Sequence, residues 1–263
     1  MKKTCSVLAC LLVLPAIATA QSSSQTENPP SRWGVGLGLS VSNSPYAGEG
    51  TKTTALPLLQ YEGERFFLRG LTGGAHLYRS QTFGLDAIAS VRTDGINATD
   101  FGAAELARNG IDRNLLEDRD NGLDLGLSGT WRTNAGDFQL SAKADVTGAS
   151  EGFELTAKYS RDFTVGRGRL TPSIGVSYLS KDSANYYFGT LKEEVARGVV
   201  DYKPGAVTIP KIGLTYIHPI GQQWRLMTGV QYKFLPNKVS ASPLLKADTK
   251  GEGSVVLGIS RSF

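Results

Sequence analysis

From Trp33 to Phe263 the sequence is a succession of stretches in which apolar side chains fall on every second position, and this period of two constrains the fold more than any other feature. WGVGLGLSVS sets Val35, Leu37, Leu39 and Val41 against three glycines and Ser40. TFGLDAIASVR sets Phe83, Leu85, Ala87, Ala89 and Val91 against Asp86, Ser90 and Arg92. GLDLGLSGTWR, FQLSAKADV and the terminal GSVVLGISRSF repeat the pattern. Each stretch reads as a β-strand of about ten residues with one apolar face, and about twelve such strands follow one another, with ten as the alternative count.

The connections alternate in kind. Short ones fall at 62–65, 80–81, 134–137, 165–169 and 221–223; longer ones at 42–54, 93–121, 181–205 and 235–251, with loops at 72–74 and 147–152 joining the long set. Short turns at one end and long loops at the other is the plan of an up-and-down antiparallel β-barrel of the outer membrane, with both termini on the periplasmic side. A water-soluble sandwich would show the same alternation. The difference lies in the aromatics: Trp33, Phe83, Trp131, Phe138, Phe163, Trp224 and Phe263 collect at strand ends beside the short turns, where a membrane interface selects them. A last strand that ends on Phe263 resembles the C-terminal signal read by the outer-membrane assembly machinery, so Phe263 is expected to close the barrel and mark it for insertion.

Residues 1–20 carry Lys2 and Lys3, an apolar run from Val7 to Ile17 and then Ala18-Thr19-Ala20, the order of a secretory signal peptide. Polar, proline-bearing residues 21–32 read as a periplasmic tail, leaving 33–263 as the barrel. Both cysteines, Cys5 and Cys10, lie within the first twenty residues, so the remainder has neither a disulfide nor a thiolate metal site. It carries 26 basic and 24 acidic residues, dispersed, which gives no electrostatic footprint for nucleic acid.

The blocks SNSPYAGEG (42–50), LPLLQYEGERFFLRG (56–70), HLYRS (76–80), VRTDG (91–95) and YYFGT with EEVARGVVDYKPGA (186–206) resemble the MipA/OmpV family of outer-membrane proteins. The matching positions include Ser44, Pro45, Tyr46, Gly48, Tyr61, Glu62, Gly63, Arg65, Arg69, Gly70, Tyr187, Pro204 and Gly205. The resemblance implies a barrel in the outer membrane of a Gram-negative cell. One member of the family is described as a scaffold between a lytic murein transglycosylase and a peptidoglycan synthase, which makes those two enzymes the protein partners that the resemblance implies.

No residue pattern calls for catalysis or a cofactor. His76 and His218 are the two histidines, and by strand phase neither has a serine or carboxylate aimed at its ring, so both are expected at turns or interfaces. Asp112, Glu117, Asp118, Asp120 and Asp124 cluster in and after the longest loop but lack the D-x-D-x-D-G spacing of a calcium loop. They read as a solvated loop that meets lipopolysaccharide through bridging cations. GVGLG at 34–38 lies inside a strand, where its glycines let the wall curve. The polar faces carry Asp86, Arg92, Asp124, Arg132, Lys143, Asp145, Lys211 and Arg225, with Glu154, Lys158, Asp162 and Lys233, both signs near balance. Cross-lumen ion pairs and a narrow or plugged lumen are therefore expected. The sequence points to a non-enzymatic structural or interaction protein of the envelope, bathed by lipid, with a porin-like small-solute channel or a surface adhesin as alternatives.

Overall fold

The computed structural model describes residues 32–263, so the expected signal peptide and nearly all of the tail lie outside the described residues. The wall is built from β1 (Trp33–Asn43), β2 (Thr51–Glu62), β3 (Phe66–Arg69), β4 (Thr72–Arg79), β5 (Phe83–Arg92), β6 (Gly122–Thr133), β7 (Gly136–Asp145), β8 (Phe153–Ser160), β9 (Phe163–Val165), β10 (Gly168–Leu179), β11 (Val207–Ile220), β12 (Trp224–Phe234) and β13 (Gly251–Ser262). β8 and β9 are two pieces of one strand along β10, interrupted at Arg161 and Asp162 opposite Pro172, which has no N–H to donate. The wall thus has twelve strands. It closes where β1 pairs antiparallel with β13, from Gly34 opposite Ser262 to Ser42 opposite Ser254.

Closure follows from the solvent. In hydrocarbon each bare backbone group costs several kcal/mol, and pairing the first strand with the last avoids that cost along the seam. The outward phase is apolar along each long strand: Leu37, Leu125, Leu140 and Leu257 are 48–62% exposed. A water-soluble protein does not leave such a continuous apolar belt bare, whereas a bilayer covers it. At the periplasmic rim, Trp33 packs on Tyr61 with ring centroids 4.6 Å apart, Phe83 on Trp131 at 4.8 Å and Phe138 on Tyr159 at 4.9 Å. The backbone N–H of Phe263 donates to the carbonyl of Trp33, tying the last residue to the first strand.

The β3–β4 turn departs from expectation. It falls at Gly70 and Leu71, and residues 72–74 belong to β4. Gly70 takes φ +62°, which glycine adopts without penalty. Gly74 is small for another reason: a Cβ there would lie 2.5 Å from Cζ of Phe67.

The apolar core sits above the barrel, not within it. Loops 44–50, 93–121, 180–206 and 235–250 carry α1 (Ala103–Arg108), α2 (Lys181–Phe188), α3 (Lys192–Ala196) and α4 (Asn237–Ser240) and fold together over the extracellular mouth. Tyr46, Phe101, Leu106, Val239, Leu244 and Leu245 are buried at its centre. The Tyr46 hydroxyl donates to the carbonyl of Tyr187 at 2.9 Å, and Asn109 donates to the carbonyls of Pro243 and Leu245. Residues 93–121 therefore form no solvated loop. Asp112 caps the turn at Asn114, Asp118 accepts from Ala98 N–H, and Glu117 pairs with Arg197 at 2.5 Å. Gly48 and Gly102 cross in backbone contact. A Cβ on Gly48 would lie 2.2 Å from Gly102 Cα, at a φ of +80°. Gly48→Ala should therefore loosen the cap, read as faster proteolysis within residues 93–121 while the barrel still migrates as a folded band.

Candidate functional site: a charged lumen beneath the cap

Side chains on the inward phase of the strands, with the underside of the cap, enclose a cavity of about 330 Å³. Its outer half is organised by Arg92 on β5. The guanidinium donates to Asp124 on β6 at 2.7 Å, to Glu154 on β8 at 3.1 Å and to Asp94 at 3.3 Å. Lys143 on β7 lies 3.5 Å from Asp124, and Lys211 on β11 lies 3.7 Å from Glu154. Two carboxylates are thus shared among three cations, and the side chains of Arg92 and Asp124 are 4% and 1% exposed. Burying such charges is favourable only when each is paired. Arg92→Met, which keeps the volume and removes the charge, should cost on the order of 3 kcal/mol, measured as a lower temperature for loss of the fast-migrating folded form on gels.

A second cluster lies nearer the periplasm. His76 Nδ1 donates to Asp86 at 2.6 Å, and Nε2, 3.4 Å from Glu62, accepts from Arg79 at 2.6 Å. Glu62 also accepts from Arg69 at 3.0 Å and from Arg79 at 2.5 Å, while Phe67 stacks on the imidazole at 4.9 Å. This corrects the expectation that His76 has no carboxylate at its ring. The cause is a β-bulge between His76 and Tyr78, which leaves Leu77 and Tyr78 both outward and brings His76 opposite Asp86. Without that extra residue His76 would face Ala87 and lipid. No hydroxyl among the described residues bonds the imidazole, so the arrangement is an ion lattice bracing β2, β3, β4 and β5 and holds no nucleophile and base. His218 lies on the outward phase beside Tyr216, at the interface as expected.

Most of the other residues singled out from the sequence fall into the lumen wall or the cap. Arg132 lines the cavity, and Arg225 stands on the inward phase at the periplasmic end, opposite Pro219 and Ser260. Asp145 sits at the outer rim, where its carboxylate accepts from Thr147, Ser150 and Glu151 N–H groups and shapes the 146–152 turn. Ser44, Pro45, Tyr46, Gly48 and Tyr187 build the cap; Gly205 N–H donates to Asn185 beside Pro204. Glu62 and Arg69 join the ion lattice, Gly63 N–H bonds Phe66, Arg65 accepts from His76 N–H through its carbonyl, and Tyr61 packs in the aromatic rim.

Sequence reasoning missed the Arg119–Glu194 pair that locks the cap. Both side chains are 0% exposed. Arg119 also donates to the carbonyls of Glu117, Tyr186 and Gly189, and Glu194 accepts from the N–H groups of Glu117 and Leu191. The two residues are 75 apart in sequence, with no local pattern joining them.

The cap and the inner ion lattice both fall within the span that one known family covers. The chain matches the family described as MltA-interacting protein MipA over residues 35–263. It belongs to this family. The relative named "Putative outer membrane protein YiaT", of Escherichia coli (strain K12), is 30% identical over 254 residues, covering 96% of each chain. The MltA-interacting protein of Escherichia coli (strain K12) is 27% identical over 248 residues, covering 94% of this chain and 95% of its own. Among solved structures, the Ralstonia pickettii toluene transporter TbuX aligns with 89% of this chain and 90% of its own at 10% identity, with a TM-score of 0.42. This MipA-family chain is an outer-membrane barrel of a Gram-negative envelope.

Proposed function

We propose that this chain is a non-enzymatic interaction protein of the outer membrane that anchors peptidoglycan-remodelling enzymes at its periplasmic face. The observation that carries this reading is the cap. Four loops with a common apolar core and a buried ion pair lie over the outer mouth, an arrangement that spends buried surface on closing a lumen which a diffusion pore would keep open. The family relative named MltA-interacting protein supports a murein transglycosylase as one partner; a peptidoglycan synthase is the second partner that the family resemblance implies. Lipid and lipopolysaccharide surround the barrel, and the terminal strand ending at Phe263 engages the assembly machinery.

Capture from detergent-solubilised envelopes tests the reading. The full chain should enrich a murein transglycosylase relative to an unrelated barrel of similar size, and in planar bilayers it should give no steady unitary conductance. Conductance without enrichment would favour the channel alternative. Binding to host cells, lost on deleting residues 93–121, would favour an adhesin.

A further inference from the structure

The barrel wall is incomplete at one place. β2 pairs with β1 from Thr51 to Tyr61, yet with β3 only from Gln60 to Glu62. The last backbone bond on that side runs from Gly70 N–H to the carbonyl of Leu59. β3 turns back there, and the next full strand, β5, meets the turn where Val91 N–H donates to the carbonyl of Leu71. From Leu58 outward, β2 therefore has no strand neighbour on the β3 side among the described residues. Backbone polar groups alternate sides along a strand, and since the Leu59 carbonyl points toward β3, those of Pro57, Ala55 and Thr53 face the gap. Proline, having no N–H to leave unsatisfied, belongs on such an edge.

The gap joins lipid to lumen. Pro57 and Val91 are exposed on the outer face and also line the cavity. Immediately inside, Leu56, Leu58 and Ile88 put apolar side chains on the inward phase, which is polar on most other strands. Backbone edges at membrane depth are tolerated where they border a cavity and not where they meet hydrocarbon.

Opposite the gap, the wall is cationic. Lys158 on β8 stands six strands from β2 in either direction and lines the cavity. No carboxylate among the described residues pairs with it, because nearby Glu154 is taken by Arg92, Lys143 and Lys211. Nine cationic residues against six carboxylates line the cavity as a whole. On its roof, Tyr187 is 1% exposed and its hydroxyl has no hydrogen-bond partner among the described residues, as is true of Thr93 Oγ1. Burial and the charge of Asp94 hold the Tyr187 phenol well above its usual range, so it stays a donor.

We propose that the lumen binds a single-chain alkyl carboxylate, which enters from the outer leaflet through the gap between β2 and the β3–β4 turn. The chain lies along Leu56, Leu58 and Ile88, and the carboxylate is drawn to Lys158, with the Tyr187 and Thr93 hydroxyls as further polar partners. Among the described residues Lys158 is the one lysine of the cavity lining without a carboxylate partner, and a single ammonium matches a monoanion. This inference rests on the wall and the lumen alone and is independent of the scaffold reading.

Photocrosslinking of a diazirine-bearing palmitate to the full-length protein in liposomes provides the test. Adducts should map to Leu56, Leu58 or Ile88, and should fall at least tenfold for Lys158→Gln but not for the surface control Lys192→Gln, with folding of each variant checked by gel migration. The methyl ester of the same probe, offered to the unmodified protein, should lose the lumen adducts to a similar extent, which keeps the test valid if Lys158→Gln fails to fold. Adducts confined to outward positions such as Leu37 and Leu257, or lumen adducts equal for acid and ester, would overturn the proposal.

Discussion

Alanine at Glu194 should make a silent barrel leak. The substitution leaves the Arg119 guanidinium, fully buried, with carbonyl acceptors but no counter-charge, and removing one partner of such a pair costs on the order of 3–5 kcal/mol. It also strips the acceptor from Glu117 N–H and Leu191 N–H, which Glu194 holds at 2.9 and 2.7 Å. The two losses strike the junction between residues 93–121 and 180–206, so the cap should open as a unit while the strands below keep their ladders. Planar-bilayer recordings should then show open events that the unmodified protein lacks, accompanied by rapid proteolysis within 93–121. Tyr46→Phe removes a single hydrogen bond to the Tyr187 carbonyl, worth about 1 kcal/mol, and should leave the recordings quiet.

Arginine at Leu257 should block assembly. Leu257 lies midway along β13, is 53% exposed and pairs across the closure seam with Leu39. A charge at that depth on the lipid face costs about 2–4 kcal/mol, and here it also burdens the pairing that closes the sheet. The folded, fast-migrating form should be lost or greatly reduced after refolding into liposomes. Gln231→Arg, mid-strand on the neighbouring β12 but facing the lumen, should still give a folded band.

The strands were legible because hydrocarbon enforces a period of two over long stretches, and even the weakest pair, β3 and β4, betrayed itself through Phe66, Phe67 and Leu68. The turn between them was misplaced by its glycines. Gly73 and Gly74 look like a loop, yet Gly74 is in a strand and makes room for Phe67, while Gly70 does the turning. His76 was hidden by the bulge, since phase counted from the Ser80 turn places it toward lipid. The cap was least legible. Its helices span four to eight residues, too short for a helical period to show, and they are held by contacts such as Arg119–Glu194 and Tyr46–Phe101 between residues far apart in sequence. Tyr46 and Tyr187 were visible as parts of family blocks, but nothing local marked them as neighbours.

Lipid bathes the outside of the wall, and a separate polar space lies inside it. No cysteine lies beyond residue 10, so a single-cysteine spin-label scan along β6 in liposomes tests this residue by residue. Labels at Leu125 and Leu127 should collide freely with dissolved oxygen and hardly with a water-soluble nickel chelate, while Ser128 and Thr130 should be shielded from oxygen-rich lipid, giving a two-residue alternation along the strand. Equal accessibility at neighbouring positions, or nickel contact at Leu125 and Leu127, would contradict a wall with lipid on its outer face.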